Sequence, residues 1–252
     1  MTEAAQPQAD PGRWIRAALV ILPAGTVLLG IASFGIWQWK KDQAADRSFE
    51  YAMALRQPIS ATGIERHIGI LREVLRKPDW ALSMPAYLES TMGAENMGYN
   101  VRRVRMEDGK SIIDGELTGK TRPREMVIAL VLYNNDAARV ESTALAAAEL
   151  LGVAHEVTGE SVARSLRFAV VPDTEDALQN LKEGLRRDDE RVMHLFVVGG
   201  PDAEPLSRIK RVLETESKGT RVVSRPVTND VSQAVQSAHE LKALLIDAAG
   251  RP

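Results

Sequence analysis

Apolar positions along this chain follow three patterns, and the first is a continuous run. Residues 17–39, AALVILPAGTVLLGIASFGIWQW, hold no charge between Arg16 and Lys40. At ~1.5 Å per residue a helix of that length reaches roughly 35 Å, more than the ~30 Å hydrocarbon core of a bilayer. Trp14 precedes the run and Trp37 and Trp39 close it, where amphipathic rings favour the two membrane interfaces. A cleaved signal has a short positive start, an apolar stretch of ~7 to 15 residues and a small-residue cleavage site. Here the start carries Glu3 and Asp10, and the run ends in Trp37, Gln38 and Trp39. The pattern predicts a retained transmembrane anchor over 13–40, behind a polar tail over 1–12 with the composition of disorder. KKDQAADRSFEYAMALRQ has no breaker before Pro58, so residues 41–60 read as a helical stalk or linker.

Past Pro58 apolar positions recur at helical spacing. Thr62 offers a cap with Glu65 reaching back three residues later, and Ile64, Ile68, Leu71 and Leu75 share a face until Lys77 and Pro78 mark the exit. PAYLESTMGAENM reads as a short helix ending at Gly98. The period then changes to two. YNVRRVRM alternates, Glu107, Asp108 and Gly109 supply a turn, and KSIIDGEL returns as the partner of a hairpin. EMVIALVLY is apolar throughout, as in parallel strands covered on both faces. There follow the helix-compatible STALAAAELLG, the strand LRFAVVP, the amphipathic helix DTEDALQNLKEGLRR and the strand RVMHLFVVGG. A helix with Leu206, Ile209 and Leu213 on one face, the strand RVVSRPV, and a last helix from about Asn229 with Val231, Val235, Ala238 and Leu245 on one side finish the chain. This succession predicts one α/β domain over 61–252, with a mostly parallel, mixed sheet covered by helices on both faces.

Composition adds exclusions. The chain of 252 residues has no cysteine, which removes disulfides, thiol nucleophiles and cysteine-ligated metal, and fits either redox compartment. Residues 1–40 hold three basic and two acidic side chains, so with a net charge of −2 overall the remainder carries −3. That balance gives no reason to expect nucleic acid or anionic lipid as a partner. Arg13 and Arg16 on one side of the run balance Lys40, Lys41 and Arg47 on the other, so flanking charge does not orient the anchor. Thr26, Gly30 and Ser33, extended by Pro23 and Trp37, form a narrow stripe along the anchor; helices in lipid associate through such stripes because backbones approach closely there. The bilayer, and other membrane proteins or a second copy reached through this face, are the expected partners.

Chemistry-bearing motifs are sparse. There is no GxSxG elbow, no GxxxxGK[ST] loop and no GxGxxG after a strand. Gly199 and Gly200 leave a strand, but Asp202 behind them opposes a bound anion. None of the four histidines, His67, His155, His194 and His239, lies three or four residues from another His or Glu in a helical metal motif, and each reads as an exposed or satisfied core residue. Asn134, Asn135 and Asp136 fall at the carboxyl end of the central strand, where open α/β sheets place ligands, although the same residues favour tight strand-to-helix turns.

The order helix, GYNVRRV, hairpin, IALVLYNN, STALAAAELL helix, LRFAVVPDTEDAL and HLFVVGG strand resembles the di-zinc aminopeptidase family, whose relatives include bacterial leucyl aminopeptidases, glutamate carboxypeptidase and the transferrin receptor ectodomain. The likeness covers roughly residues 60–200 and lies in order and hydrophobic pattern. The family's His and Asp pair on a strand corresponds to Leu132 and Asn134, and its bridging Asp falls near Arg139 and Val140. Its Glu-Glu pair falls on Thr174 and Glu175, and a later Asp near Phe196. Of these only Glu175 keeps a ligand type, as a possible remnant, and it equally suits the first turn of a helix. Zinc needs several donors converging within ~2.0 to 2.3 Å, so the resemblance implies a member that has lost its metal, with no cofactor and no catalytic residue. The expected function is a membrane-anchored, catalytically inactive, aminopeptidase-like domain serving as an interaction or scaffolding subunit. A divergent metallopeptidase or hydrolase, or a peptide or small-molecule binder using the former cleft, stays open. Anchored relatives display their domain outside the cytoplasm, which implies a periplasmic or extracytoplasmic face here.

Overall fold

The computed structural model describes residues 53–199, 207–209, 211–212, 221–225 and 230–252. The anchor, with Trp14, Trp37, Trp39 and the stripe Thr26, Gly30, Ser33, lies outside the described residues, as do Gly200, Asp202, Leu206 and Leu213. Among the described residues no helix is long and apolar enough to cross a membrane.

Among the described residues, eleven longer elements make a mixed α/β layer structure. In chain order they are α1 (Ala61–Arg76), α2 (Trp80–Met92), β1 (Asn100–Arg105), β2 (Ser111–Leu117), β3 (Arg122–Tyr133), α3 (Val140–Val157), β4 (Arg164–Pro172), α4 (Glu175–Arg187), β5 (Arg191–Val198), β6 (Arg221–Arg225) and α5 (Val231–Ala249). The six strands pair in the order β1-β2-β4-β3-β5-β6. β1 and β2 are antiparallel, as are β2 and β4, while β3, β4, β5 and β6 run parallel. Antiparallel hairpins need only a short turn, and Gly109 at φ 82° supplies it, whereas each parallel step needs a helical crossover.

Both faces of the sheet are covered, unequally. Val127, Ala129, Val131 and Tyr133 of β3 point with Leu166, Phe168 and Val170 of β4 into a core shared with α1, α2, α3 and α5. Met126, Ile128 and Leu130 point the other way, against Leu178, Leu181 and Leu185 of α4. A strand buried on both sides has no polar face to show, which is why β3 is an unbroken apolar run. On α1, Ile64, Ile68, Leu71 and Leu75 are all buried, each contributing roughly 1.5–3 kcal/mol.

Local signals shift some boundaries. Ser60, not Thr62, caps α1: its hydroxyl oxygen accepts from the Gly63 N–H at 3.1 Å, so the helix starts one residue before Thr62. The helical residues 53–55 end at Leu55, so the stalk does not continue as helix to Pro58. α2 begins at Trp80 rather than Pro85 and keeps Pro85 inside, giving up one backbone bond. Trp80 packs edge-on against Tyr133, ring centroids 6.0 Å apart, and offsets that loss. On α5 the buried face is Ala234, Ala238, Leu241, Leu245 and Ala248; Val231 and Val235 sit half-buried at its margin.

A candidate site at the carboxyl ends of the parallel strands

β3 ends at Tyr133 and turns through Asn134-Asn135-Asp136. The Asn134 Oδ1 accepts from the Asp136 N–H at 3.2 Å and the Asp136 Oδ1 accepts from the Ala138 N–H at 3.1 Å, two side-chain turns in succession. The Asp136 carbonyl then accepts from the Val140 N–H at 3.0 Å and α3 begins. β4 leaves beside it: the Asp173 N–H donates to the Tyr133 carbonyl at 2.9 Å, and the Thr174 hydroxyl oxygen accepts from the Ala177 N–H to cap α4.

Between these exits lies the Asp173 carboxylate, with 7% of its side chain exposed. Arg139 Nη1 donates to Oδ2 at 2.7 Å and Asn134 Nδ2 lies 3.4 Å from the same oxygen. Arg208 Nη1 stands 3.0 Å from Oδ1 and donates to the Asp173 carbonyl at 3.3 Å. Two guanidinium groups thus share the Asp173 carboxylate in an internal ion triad.

The positions carrying the family's ligands are scattered around this triad. Asn134 and Arg139 belong to it. Leu132 is half-buried against the α4 side of the core, and Phe196 is buried on the opposite face with its ring stacked on His194. Thr174 is spent on its cap and Glu175 is exposed in the first turn of α4. Asp173 and Arg208 were not singled out by the sequence. The available signal for Asp173 was its place directly after a strand-ending proline at the sheet's carboxyl edge; Arg208 carries no local signal.

Whether these residues suit a metal is decided by donor type. One carboxylate flanked by two guanidiniums does not make a zinc site, because the cations repel a divalent ion and the single carboxylate is too few donors. Among the described residues no three His, Asp or Glu side chains converge as metal ligands. His67 is buried in α1 with Nδ1 2.6 Å from the Tyr87 hydroxyl. Burial, with the charge of Arg66 beside it, lowers its pKa to about 4. His155 Nε2 donates to the Asn96 carbonyl oxygen at 3.4 Å, and the exposed His239 lies 3.8 Å from Glu156.

A cleft of about 520 Å³ opens beside the strand ends, with Leu75, Pro78, Trp80 and Val140 as apolar walls and Asn135 and Glu141 at its rim. Glu141 is bound by Arg72 and Arg76 of α1, tying the cleft's two sides together. A second buried ionic cluster lies elsewhere, between β2, β4 and the end of α4. Arg167, 2% exposed, bonds both oxygens of Glu190 at 2.7 and 2.8 Å and Glu116 at 3.0 Å. Burial raises the pKa of Asp114 and of Glu190 in that cluster, against the pull of Arg167.

No family model matches the sequence, and no curated protein is similar to it. The fold does have solved counterparts. A candidate zinc-dependent exopeptidase from Bacteroides vulgatus superposes with a TM-score of 0.52 at 10% identity, over 76% of this chain and 97% of that one. A glutaminyl cyclase from Bacteroides thetaiotaomicron gives 0.46 at 11% identity, over 74% and 84%, and a leucine aminopeptidase precursor from the same organism gives 0.45 at 11% over the same shares. At such identities the first likeness establishes the fold, a peptidase-like mixed α/β domain.

Proposed function

We propose that this chain is a membrane-anchored, catalytically inactive domain of peptidase-like fold, an interaction or scaffolding subunit of a membrane protein complex that faces the periplasm or another extracytoplasmic space. The observation that carries the reading is the Arg139–Asp173–Arg208 triad. It stands at the carboxyl edge of the sheet, where a metallopeptidase would need carboxylates and imidazoles open to a divalent ion. Guanidiniums supply the positive charge there, from within the chain. The anchor is supported by the apolar run of residues 17–39 and its flanking tryptophans.

Three measurements test this on the full-length protein in mild detergent. Metal analysis is expected to give well below one zinc per chain, and peptide substrates are expected to keep their N-terminal residue. Stoichiometric zinc together with release of that residue would sink the inactive reading. Digestion of sealed vesicles tests the facing: protection of the domain from external protease in right-side-out vesicles would reverse it.

A second reading has its own support in the 520 Å³ cleft walled by Trp80 and Pro78. A peptide or small molecule seated there is expected to raise the melting temperature, and a screen in which none does removes that reading.

A further inference from the structure

The net charge of the chain conceals an uneven distribution. Lys120, Arg122, Arg124, Arg164, Arg191 and Arg251 gather at the amino ends of the parallel strands. They meet because β3, β4 and β5 all start there and because α5 ends there: Arg164 Nη1 donates to the Ala248 carbonyl at 2.7 Å, and the Gly250 carbonyl accepts from the Ala163 N–H at 2.9 Å. Acids at the same end are Glu125, which Arg164 and Arg122 both contact, Asp189, paired with Arg124, and Asp188, Glu190 and Glu160, which are engaged by Arg102, Arg167 and Arg56. Lys120, Arg122, Arg124, Arg191 and Arg251 are exposed. The other end of the sheet exposes Asp136, Glu175 and Asp176.

The basic loop is held rigidly. The Lys120 N–H donates to the Val162 carbonyl at 2.9 Å, the Arg122 N–H donates to the Ala163 carbonyl at 2.8 Å, and the Ser165 hydroxyl accepts from the Gly119 N–H while donating to the Pro123 carbonyl. A Cβ on Gly119 would stand 2.4 Å from the Arg164 carbonyl carbon, so only glycine lets the loop lie this close. A structural explanation covers Arg164, which closes the carboxyl end of α5. It does not cover Lys120 and Arg251, which make no ion pair among the described residues.

This is also the end by which the chain enters the domain. Arg56 pairs with Glu160 at 2.8 Å, the Gln57 N–H donates to the His155 carbonyl at 3.4 Å, and the Ile59 N–H donates to Glu156 Oε2 at 3.1 Å, all at the carboxyl end of α3.

We propose that the basic face formed by Lys120, Arg122, Arg124, Arg191 and Arg251 docks on the anionic headgroups of the membrane in which the chain is anchored. The inference rests on the anchor reading above. Clustered cations near an anionic surface are attracted within a Debye length of ~8 Å at physiological salt, so such a contact is electrostatic and salt-sensitive. The cleft and the triad lie at the opposite, carboxyl end of the sheet from this face.

Because the chain has no cysteine, single-site labelling is clean. Full-length protein carrying Thr121→Cys or Asn135→Cys, each with a fluorophore, is reconstituted into phosphatidylcholine vesicles with and without roughly 30% phosphatidylglycerol and a headgroup-bound quencher. The label at 121 is expected to be quenched about threefold more strongly in the anionic vesicles, and the excess is expected to vanish at about 0.5 M salt. The label at 135 is expected to change little. Neutralising Lys120, Arg122 and Arg124 together with glutamine, with the melting temperature checked, is expected to abolish the excess. Equal quenching at 121 in both vesicles, or stronger quenching at 135 than at 121, would overturn the proposal. Flotation separates the premises: protein that fails to float with neutral vesicles overturns the anchor and this inference with it, whereas flotation with equal quenching overturns the inference alone.

Discussion

Single side chains in this domain matter most where charge is buried. The Asp173 carboxylate stands between Arg139 and Arg208, and its removal takes a hydrogen bond from Arg139 and an ion pair from Arg208. Asp173→Ala is expected to cost about 2–4 kcal/mol in urea unfolding, while adding Arg139→Leu and Arg208→Leu to it costs less than the sum of the separate changes, because the repulsion goes with the charges. A zero cost for Asp173→Ala would mean the triad is decoration. His67 makes a prediction in pH. Burial first, then the charges of Arg66 and His155, hold its pKa at about 4 against 6.5 for a free imidazole. The unfolded chain therefore takes up a proton that the native state refuses, and stability falls as the pH drops from ~6.5 to ~4, by up to about 3 kcal/mol. Asp114 and Glu190 act in the opposite direction: their raised values mean the native state binds protons more readily than the unfolded chain, so their cost at neutral pH is relieved by acid. His67→Gln removes the first slope and leaves the second, and a titration of the urea midpoint between pH 7 and 4 distinguishes it from the wild type.

At the scale of elements, what the sequence makes legible depends on where each signal resides. The continuous apolar run of β3, the Glu107-Asp108-Gly109 turn and the amphipathic stripe of α4 are local, and each appears within a few residues of its expected bounds. The start of α2 was not legible, because Pro85 is a strong local signal for a first turn and the packing of Trp80 on Tyr133 that overrides it is tertiary. The same holds for the candidate site: Asn134 and Arg139 could be placed from the strand-to-helix turn, but the partner that joins them to Arg208 is fixed by the meeting of β3 and β4. Tyr133 illustrates how such a meeting is secured. Its hydroxyl donates to the Ser111 carbonyl at 2.8 Å and accepts from the Ser111 N–H at 3.2 Å, crossing from the end of β3 to the start of β2. Tyr133→Phe leaves both backbone groups of Ser111 without that buried partner and is expected to cost about 1–3 kcal/mol in thermal or urea unfolding. Gly119→Ala is expected to do at least as much harm, by forcing the 119–125 loop off β4. An unchanged melting temperature in either variant would refute the corresponding contact.

For the molecule as a whole, the domain and the apolar run make separable contributions, and a change in one should leave the other intact. The domain has a continuous core on each face of its sheet, so its melting is expected to be indifferent to substitutions in residues 17–39. Assembly is expected to be the reverse. On the anchor reading proposed above, lipid gives two apolar helices no hydrophobic reason to associate, so contact is expected to depend on close backbone approach at Gly30, between Thr26 and Ser33. Gly30→Ile adds a branched side chain to the middle of that stripe while keeping the run apolar and long enough to span. The expected result is full-length protein that still enters membranes and melts at the same temperature, yet loses its cross-linked assembly in mild detergent. Assembly unchanged by Gly30→Ile would move the contact surface off the anchor and onto the domain. There the exposed carboxyl-end side of the sheet is the next place to substitute.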